Sequence, residues 1–176
     1  MGKSYPYYSR DEMMDQVPSL NKKFLHYSDY ADAQITDLFN DKQLSASHTA
    51  DIKNMQSVLL VNNGNKTFSI KPLPAYAQLS TANSLISKDV DGDGNNDIIL
   101  AGNFYPMRAQ LGPMDAGIGI VLKNNGNANF TPLTYDKTKL LIRGDARNMI
   151  ELKSKGMDYL IIAKAGDAVQ VERMNK

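Results

Sequence analysis

The sequence predicts a mainly β chain behind a short helical N-terminal segment, and three observations carry that expectation. Residues 9–46 hold capping residues and short stretches of helical character, whereas from residue 47 onward short β-prone runs alternate with Gly/Asn turns. The string Asn62-Asn63-Gly64-Asn65, with Phe68 behind it, returns 62 residues later as Asn124-Asn125-Gly126-Asn127 with Phe130. In both copies an apolar run precedes the turn, and Pro-Leu follows the phenylalanine. Self-similarity at this period in a β region suggests blades of a β-propeller, each a four-stranded sheet. The expected organisation is therefore a helical segment at 1–46 and propeller-type blades at 47–176.

Each element has a local reason. Ser9 stands before "RDEMMDQ", with Asp11 and Glu12 placed to favour the positive end of a helix dipole. Pro18 opens "SLNKKFLHY" at a position where its missing N–H matters little. "DYADAQITDLFN" and "DKQLSA" read as further short helices. "SVLLVNNGNKTFSIKPL" is then a hairpin around an Asn-Asn-Gly-Asn turn, and "IGIVLKNNGNANFTPLTY" is another. Between them lie the strand-like runs "SLISKDV" and "IILAGNFYP". The end, "ARNMIELKSKGMDYLIIAKAGDAVQVERM", reads as three strands with Gly156 and Gly166 near the turns.

Composition excludes several classes. A formal net charge of +1 gives no footprint for nucleic acid or an anionic membrane. The absence of cysteine removes disulfides, thiolate zinc sites and thiol nucleophiles together. No run approaches the roughly 20 apolar residues that span a bilayer. The opening residues lack the apolar stretch of a signal peptide, so the chain is expected to be either cytoplasmic or a piece of a longer exported protein.

The densest chemistry lies at residues 89–97, "DVDGDGNND". Asp89, Asp91, Asp93, Asn95 and Asp97 occupy alternate positions, and no lysine or arginine falls among them. Carboxylates this close repel by several kcal/mol per pair at an effective dielectric of about 20. A divalent cation reverses that sign. Ca²⁺ takes about six to eight hard oxygen ligands, and Gly94 at the sixth position permits the sharp turn that wraps a loop around one. The expected ligands are the side chains of Asp89, Asp91, Asp93 and Asp97 with the backbone carbonyl of Asn95. An EF-hand is ruled out, because its bidentate glutamate would fall at Leu100 inside the apolar run "DIILAG".

"DVDGDGNNDIILAGN" resembles the calcium loop of FG-GAP/VCBS repeats, which form integrin-alpha-like β-propellers. The wider pattern, with "LLVNNGNKTFSIKPLP", "GNFYP" and "DAGIGIVLKNNGNANFTPL", is similar to the C-terminal part of exported ASPIC/UnbV-like proteins of Bacteroidetes. The resemblance covers roughly residues 9 to 150. It implies a propeller of roughly seven or eight blades on an exported or cell-surface protein, in which Ca²⁺ at Asp89, Asp91, Asp93, Asn95 and Asp97 ties neighbouring strands and the module binds or scaffolds without catalysis. Two departures stand out: no Phe-Gly…Gly-Ala-Pro string is present, and "SASHTADIKNMQ", before the first hairpin, lacks the acidic ladder. A region of this length holds two blades and a little more, so further blades or a partner protein are expected at its open edges.

Other candidates carry less. Tyr105, Arg108 and Asp115 lie on a long Gly/Pro-rich connection and suit a glycan or peptide ligand, or simply the packing of a connecting loop. Arg143-Gly144-Asp145 is an RGD string at a strand border, and strings of three arise readily by chance. His26 and His48 have no Gly-x-Ser-x-Gly elbow to support a nucleophilic triad and read as surface or capping residues. Clustered aspartates that a cation explains leave little ground for paired-carboxylate hydrolysis, so a calcium-stabilised, polysaccharide-acting enzyme is the alternative rather than the first reading.

Overall fold

The computed structural model describes residues 2–174. The chain divides into two compact units, Met1–Lys53 and Asn54–Lys176. Residues 48–57 carry neither helix nor strand.

The first unit is helical. Helices α1 (Arg10–Gln16), α2 (Tyr27–Ala31), α3 (Ile35–Leu38) and α4 (Asp41–Ala46) are joined by short links, one of them a 3₁₀ turn at Pro18–Lys22. Such short helices are marginal alone, so their ends carry much of the specification. At α1 the Ser9 N–H donates to Glu12 Oε2 at 2.9 Å while the Glu12 N–H points back at Ser9 Oγ, a reciprocal capping box. The same three-residue reach recurs from Asp29 to the His26 N–H, from Asp37 to the Gln34 N–H and from Gln43 to the Asn40 N–H. Met13, Met14, Leu20, Phe24, Tyr30, Ala33 and Leu38 form the core. Phe24 meets Tyr30 edge to face at 5.6 Å, and the Tyr30 hydroxyl donates to the Tyr8 carbonyl.

The second unit is mainly β, with nine strands in three antiparallel sheets among the described residues. β1 (Val58–Gly64) and β2 (Thr67–Pro72) form a hairpin. β3 (Ala82–Lys88), β4 (Asp97–Gly102), β5 (Ile120–Asn124) and β6 (Phe130–Leu133) make a four-stranded meander, followed by a single helical turn, α5 (Tyr135–Thr138). β7 (Ala146–Ser154), β8 (Met157–Lys164) and β9 (Gln170–Met174) make a three-stranded one. No closed sheet is formed among the described residues.

The sequence repeat is also a backbone repeat. Gly64 and Gly126 have φ of 80° and 86°, Asn65 and Asn127 have 50° and 53°, and Lys66 and Ala128 have 62° and 55°. Asn62 Oδ1 accepts from the Gly64 N–H and Asn124 Oδ1 accepts from the Gly126 N–H, at 2.9 and 3.0 Å. The non-glycine left-handed pair at each tip is thus Asn65-Lys66 or Asn127-Ala128, the two residues directly after the Asn-Gly dipeptide. In the first hairpin the register shifts between Asn62, opposite Phe68, and Gly64, opposite Thr67, so Asn63 is the extra residue. The hairpin β1–β2 is therefore the counterpart of β5–β6.

In the meander β3–β6 the central strands, β4 and β5, are covered on both faces. Ile99, Ala101 and Val121 pack with Met149, Leu160 and Ile162 of the last sheet, while Ile98, Leu100 and Leu122 pack with Ala77 and Leu73 on the other side. Every residue of β4 is consequently buried. Polar ties join the first strands of the two meanders. Asn83 Nδ2 donates to the Ala146 carbonyl, and the Met149 N–H donates to Ser84 Oγ. Lys88 lies 2.7 Å from Asp158 and 3.4 Å from Glu151. Burial by itself would lower the pKa of Lys88, but its hydrogen bond to Asp158 and the charge of Glu151 outweigh that and hold it above its ordinary value.

Asn103 closes the unit beyond β4. It is fully buried and held at φ 108°. Its Oδ1 accepts from the Ser80 hydroxyl and the Gly117 N–H, and its Nδ2 donates to the carbonyls of Gly117 and Gly144. A Cβ on Gly117 would lie 2.7 Å from that Oδ1, which explains a glycine there. Asn103→Ala leaves these four groups without their partner in a site closed to water. It is expected to destabilise the protein by about 3–5 kcal/mol, read as a large fall in denaturant midpoint at unchanged slope.

Candidate metal centre

The aspartate loop spans the turn between β3 and β4, and its carboxylates first satisfy the loop's own backbone. Asp89 Oδ1 accepts from the N–H groups of Gly92 and Asp93 at 2.7 and 3.2 Å, and Asp89 Oδ2 accepts from Gly94 at 3.0 Å. Asp91 Oδ1 accepts from the Asp93 N–H, and Asp93 Oδ1 accepts from the Asn95 N–H. Gly92 and Gly94 supply φ of 81° and 87°, a region side chains disfavour. The chain is thereby wound so that alternate aspartates turn inward.

Asp97 anchors the loop to the sheet. It has no solvent exposure; its Oδ2 accepts from the Val90 N–H at 3.0 Å and its Oδ1 from the Asn124 N–H at 2.8 Å. Asn124 Nδ2 adds a bond to the Asn96 carbonyl. One carboxylate thus joins the start of the loop, the start of β4 and the end of β5.

Asp89, Asp91 and Asp97 each offer one carboxylate oxygen, and these three atoms lie within 4.8 Å of one another. Each carboxylate oxygen has two lone pairs, so an amide contact leaves one available. Three hard anionic donors at this spacing fit a divalent cation of the Ca²⁺ class, with backbone or water oxygens filling the remaining positions. Asp93 and Asn95 lie on the same loop, where Asn95 donates to Asp93 through both its backbone and its side-chain amide.

The spacing of the aspartates gave no sign of Lys123. It projects from β5, and its ammonium pairs with both Asp91 and Asp93, the latter at 3.0 Å. The Asn95 N–H, and next the Lys123 ammonium, hold the Asp93 carboxyl below its ordinary pKa. Asp91, then Asp93, push Lys123 well above the usual lysine value. The only signal in sequence was a lysine one residue before the second Asn-Asn-Gly turn.

The remaining candidates are dispersed. Phe104 and Met114 form an isolated bridge across the 103–119 connection, with Tyr105 and Asp115 beside it and Arg108 opening the turn at its tip. Asp145 of the RGD string is buried and accepts from Arg147 at 2.6 Å, so that string is not displayed as a recognition loop. His26 and His48 are both exposed in the helical unit. No helix among the described residues is long and apolar enough to cross a membrane. Comparison with family models, curated proteins and solved structures gives no match to this chain.

Two outcomes follow from the lysine. Removing a positive charge beside the carboxylates, in Lys123→Met, is expected to tighten Ca²⁺ binding by roughly tenfold, measured by calorimetry. The pH dependence has a definite sign. Asp93 is depressed in the folded state, so its contribution is present above the unfolded carboxylate pKa and is lost as pH falls through the lower folded value. Acid melts of metal-free protein should show this loss, and Asp93→Asn should flatten it.

Proposed function

We propose that the second unit is a propeller-type repeat segment stiffened by one Ca²⁺ at the aspartate loop. It acts as a non-catalytic binding or scaffold module of an exported or cell-surface protein. The observation that carries this reading is the convergence of Asp89, Asp91 and Asp97 in a glycine-bent loop that leads into a strand buried on both faces. The stacked antiparallel meanders and the backbone repeat of their hairpins support the propeller side of it.

The two outer faces support the module side. On the hairpin, Leu60 lies opposite Ile70 on the same face as Phe68, and all three are exposed. On the last sheet, Ile150 and Leu152 are exposed on the face that carries Ile161 and the exposed Val171. In the middle sheet, the apolar residues of the two central strands are covered by neighbours. Further blades, or a partner offering an apolar sheet face, would cover the outer two in the same way.

The test is a calorimetric Ca²⁺ titration of chelator-stripped protein with melting curves at both ends, and Mg²⁺ alongside. One site is expected, preferring Ca²⁺. At a hundredfold excess over Kd, mass action adds about 2.7 kcal/mol, a rise in Tm of roughly 5–10 °C. Asp89→Asn combined with Asp91→Asn should abolish that rise. No binding heat, and melting indifferent to chelator, would leave Lys123 as the loop's counter-charge and end the calcium reading.

A further inference from the structure

We infer that the cavity beside the segment 116–119 is a binding site for a small, neutral, monocyclic compound of the phenol class. The cavity has a volume of about 150 Å³ and lies wholly within the second unit. Its walls include Leu100 of β4, Ile120 of β5 and Leu133 of β6. Tyr76 and Tyr135 also line it while 62% and 50% exposed, so it reaches the surface where these residues lie. Apolar cavities of about 150 Å³ accept a benzene-sized guest.

The lining selects the charge and polarity of the guest. Apart from the two tyrosines it contains no ionisable side chain, so nothing there would compensate a charged ligand. The Lys139 ammonium sits over the Tyr135 ring at 5.5 Å and is not part of the lining. A pyranose is disfavoured as well, because a volume suited to a benzene-sized guest leaves little room for a ring with several hydroxyls, and the hydroxyls of Ser80 and Thr138 already have partners within the protein. A guest with one hydroxyl fits better. Thr81 lines the cavity with a buried Oγ1 that has no hydrogen-bond partner, and rotation about χ1 would turn it onto such a group. This reading is independent of the cation, since the aspartate loop contributes nothing to the cavity.

The experiment is an amide-resolved NMR titration of the full chain with phenol, and with benzoate as the charged comparator. Phenol should give saturable shifts centred on Thr81, Gly102 and Gly119, and benzoate should bind at least about tenfold more weakly. Ala82→Phe, at an exposed lining position, and Thr138→Leu, filling the cavity from α5, should each weaken phenol by about tenfold with shifts otherwise near native. The absence of saturable phenol shifts would overturn the site. Equal binding of benzoate, or full binding by whichever of the two variants keeps the native spectrum, would overturn it too.

Discussion

The second unit depends on one buried carboxylate. Asp97 begins a strand that is covered on both faces, so water cannot solvate it. Burying an isolated carboxylate has an effective penalty of several kcal/mol. Here the N–H groups of Val90 and Asn124 each take one oxygen, which offsets part of that cost and fixes geometry at the same time. Val90 brings the start of the loop back onto its end. Asn124 is the residue whose side chain then shapes the second hairpin turn through the Gly126 N–H. Loop, sheet and repeat are therefore positioned from a single group.

The same arrangement leaves a charge to be balanced. Asp89, Asp91, Asp93 and Asp97 bring four negative charges, and Lys123 answers with one, so four minus one leaves three uncompensated. Backbone N–H groups soften this but carry no net charge. A divalent cation would reduce the remainder to one. Lys123 holds Asp91 and Asp93 from one side of the loop, and a cation among Asp89, Asp91 and Asp97 would share Asp91 with it. A tethered counter-charge of this kind restrains the loop without any metal, and it would lower the affinity for a cation bound beside it.

What the sequence made legible was whatever is encoded locally. The capping pairs, the paired Asn-Gly hairpins and the aspartate ladder are all written within a few residues of one another, and each has its place in the structure. The Asn-Asn-Gly-Asn strings mark both bends, and the left-handed pair takes the last Asn of each string and the residue after it. Lys123 and Asn124 act on the loop from β5, and no local pattern connects positions so far apart. Asn103 looked like part of a loop string, yet it organises three separate carbonyl and amide sites because the chain ends of the two meanders converge on it. Asp145 was legible as a motif and illegible as a buried group, since burial is a property of packing and not of three letters.

Packing and loop are not independent of each other. Lys88 is the last residue of β3 and the neighbour of Asp89, and its ammonium is held by Asp158 and Glu151 on β8 and β7. The last sheet therefore fixes the residue from which the loop departs, just as β5 fixes the residue at which it ends. Coupling of this sort is reciprocal: whatever orders the loop must also favour the stacking of the two meanders, by the same free energy. The exposed face of the last sheet, with Ile150, Leu152 and Val171, adjoins the strands that hold Lys88. Covering that face would restrain β7 and β8, and through Lys88 it would restrain the loop.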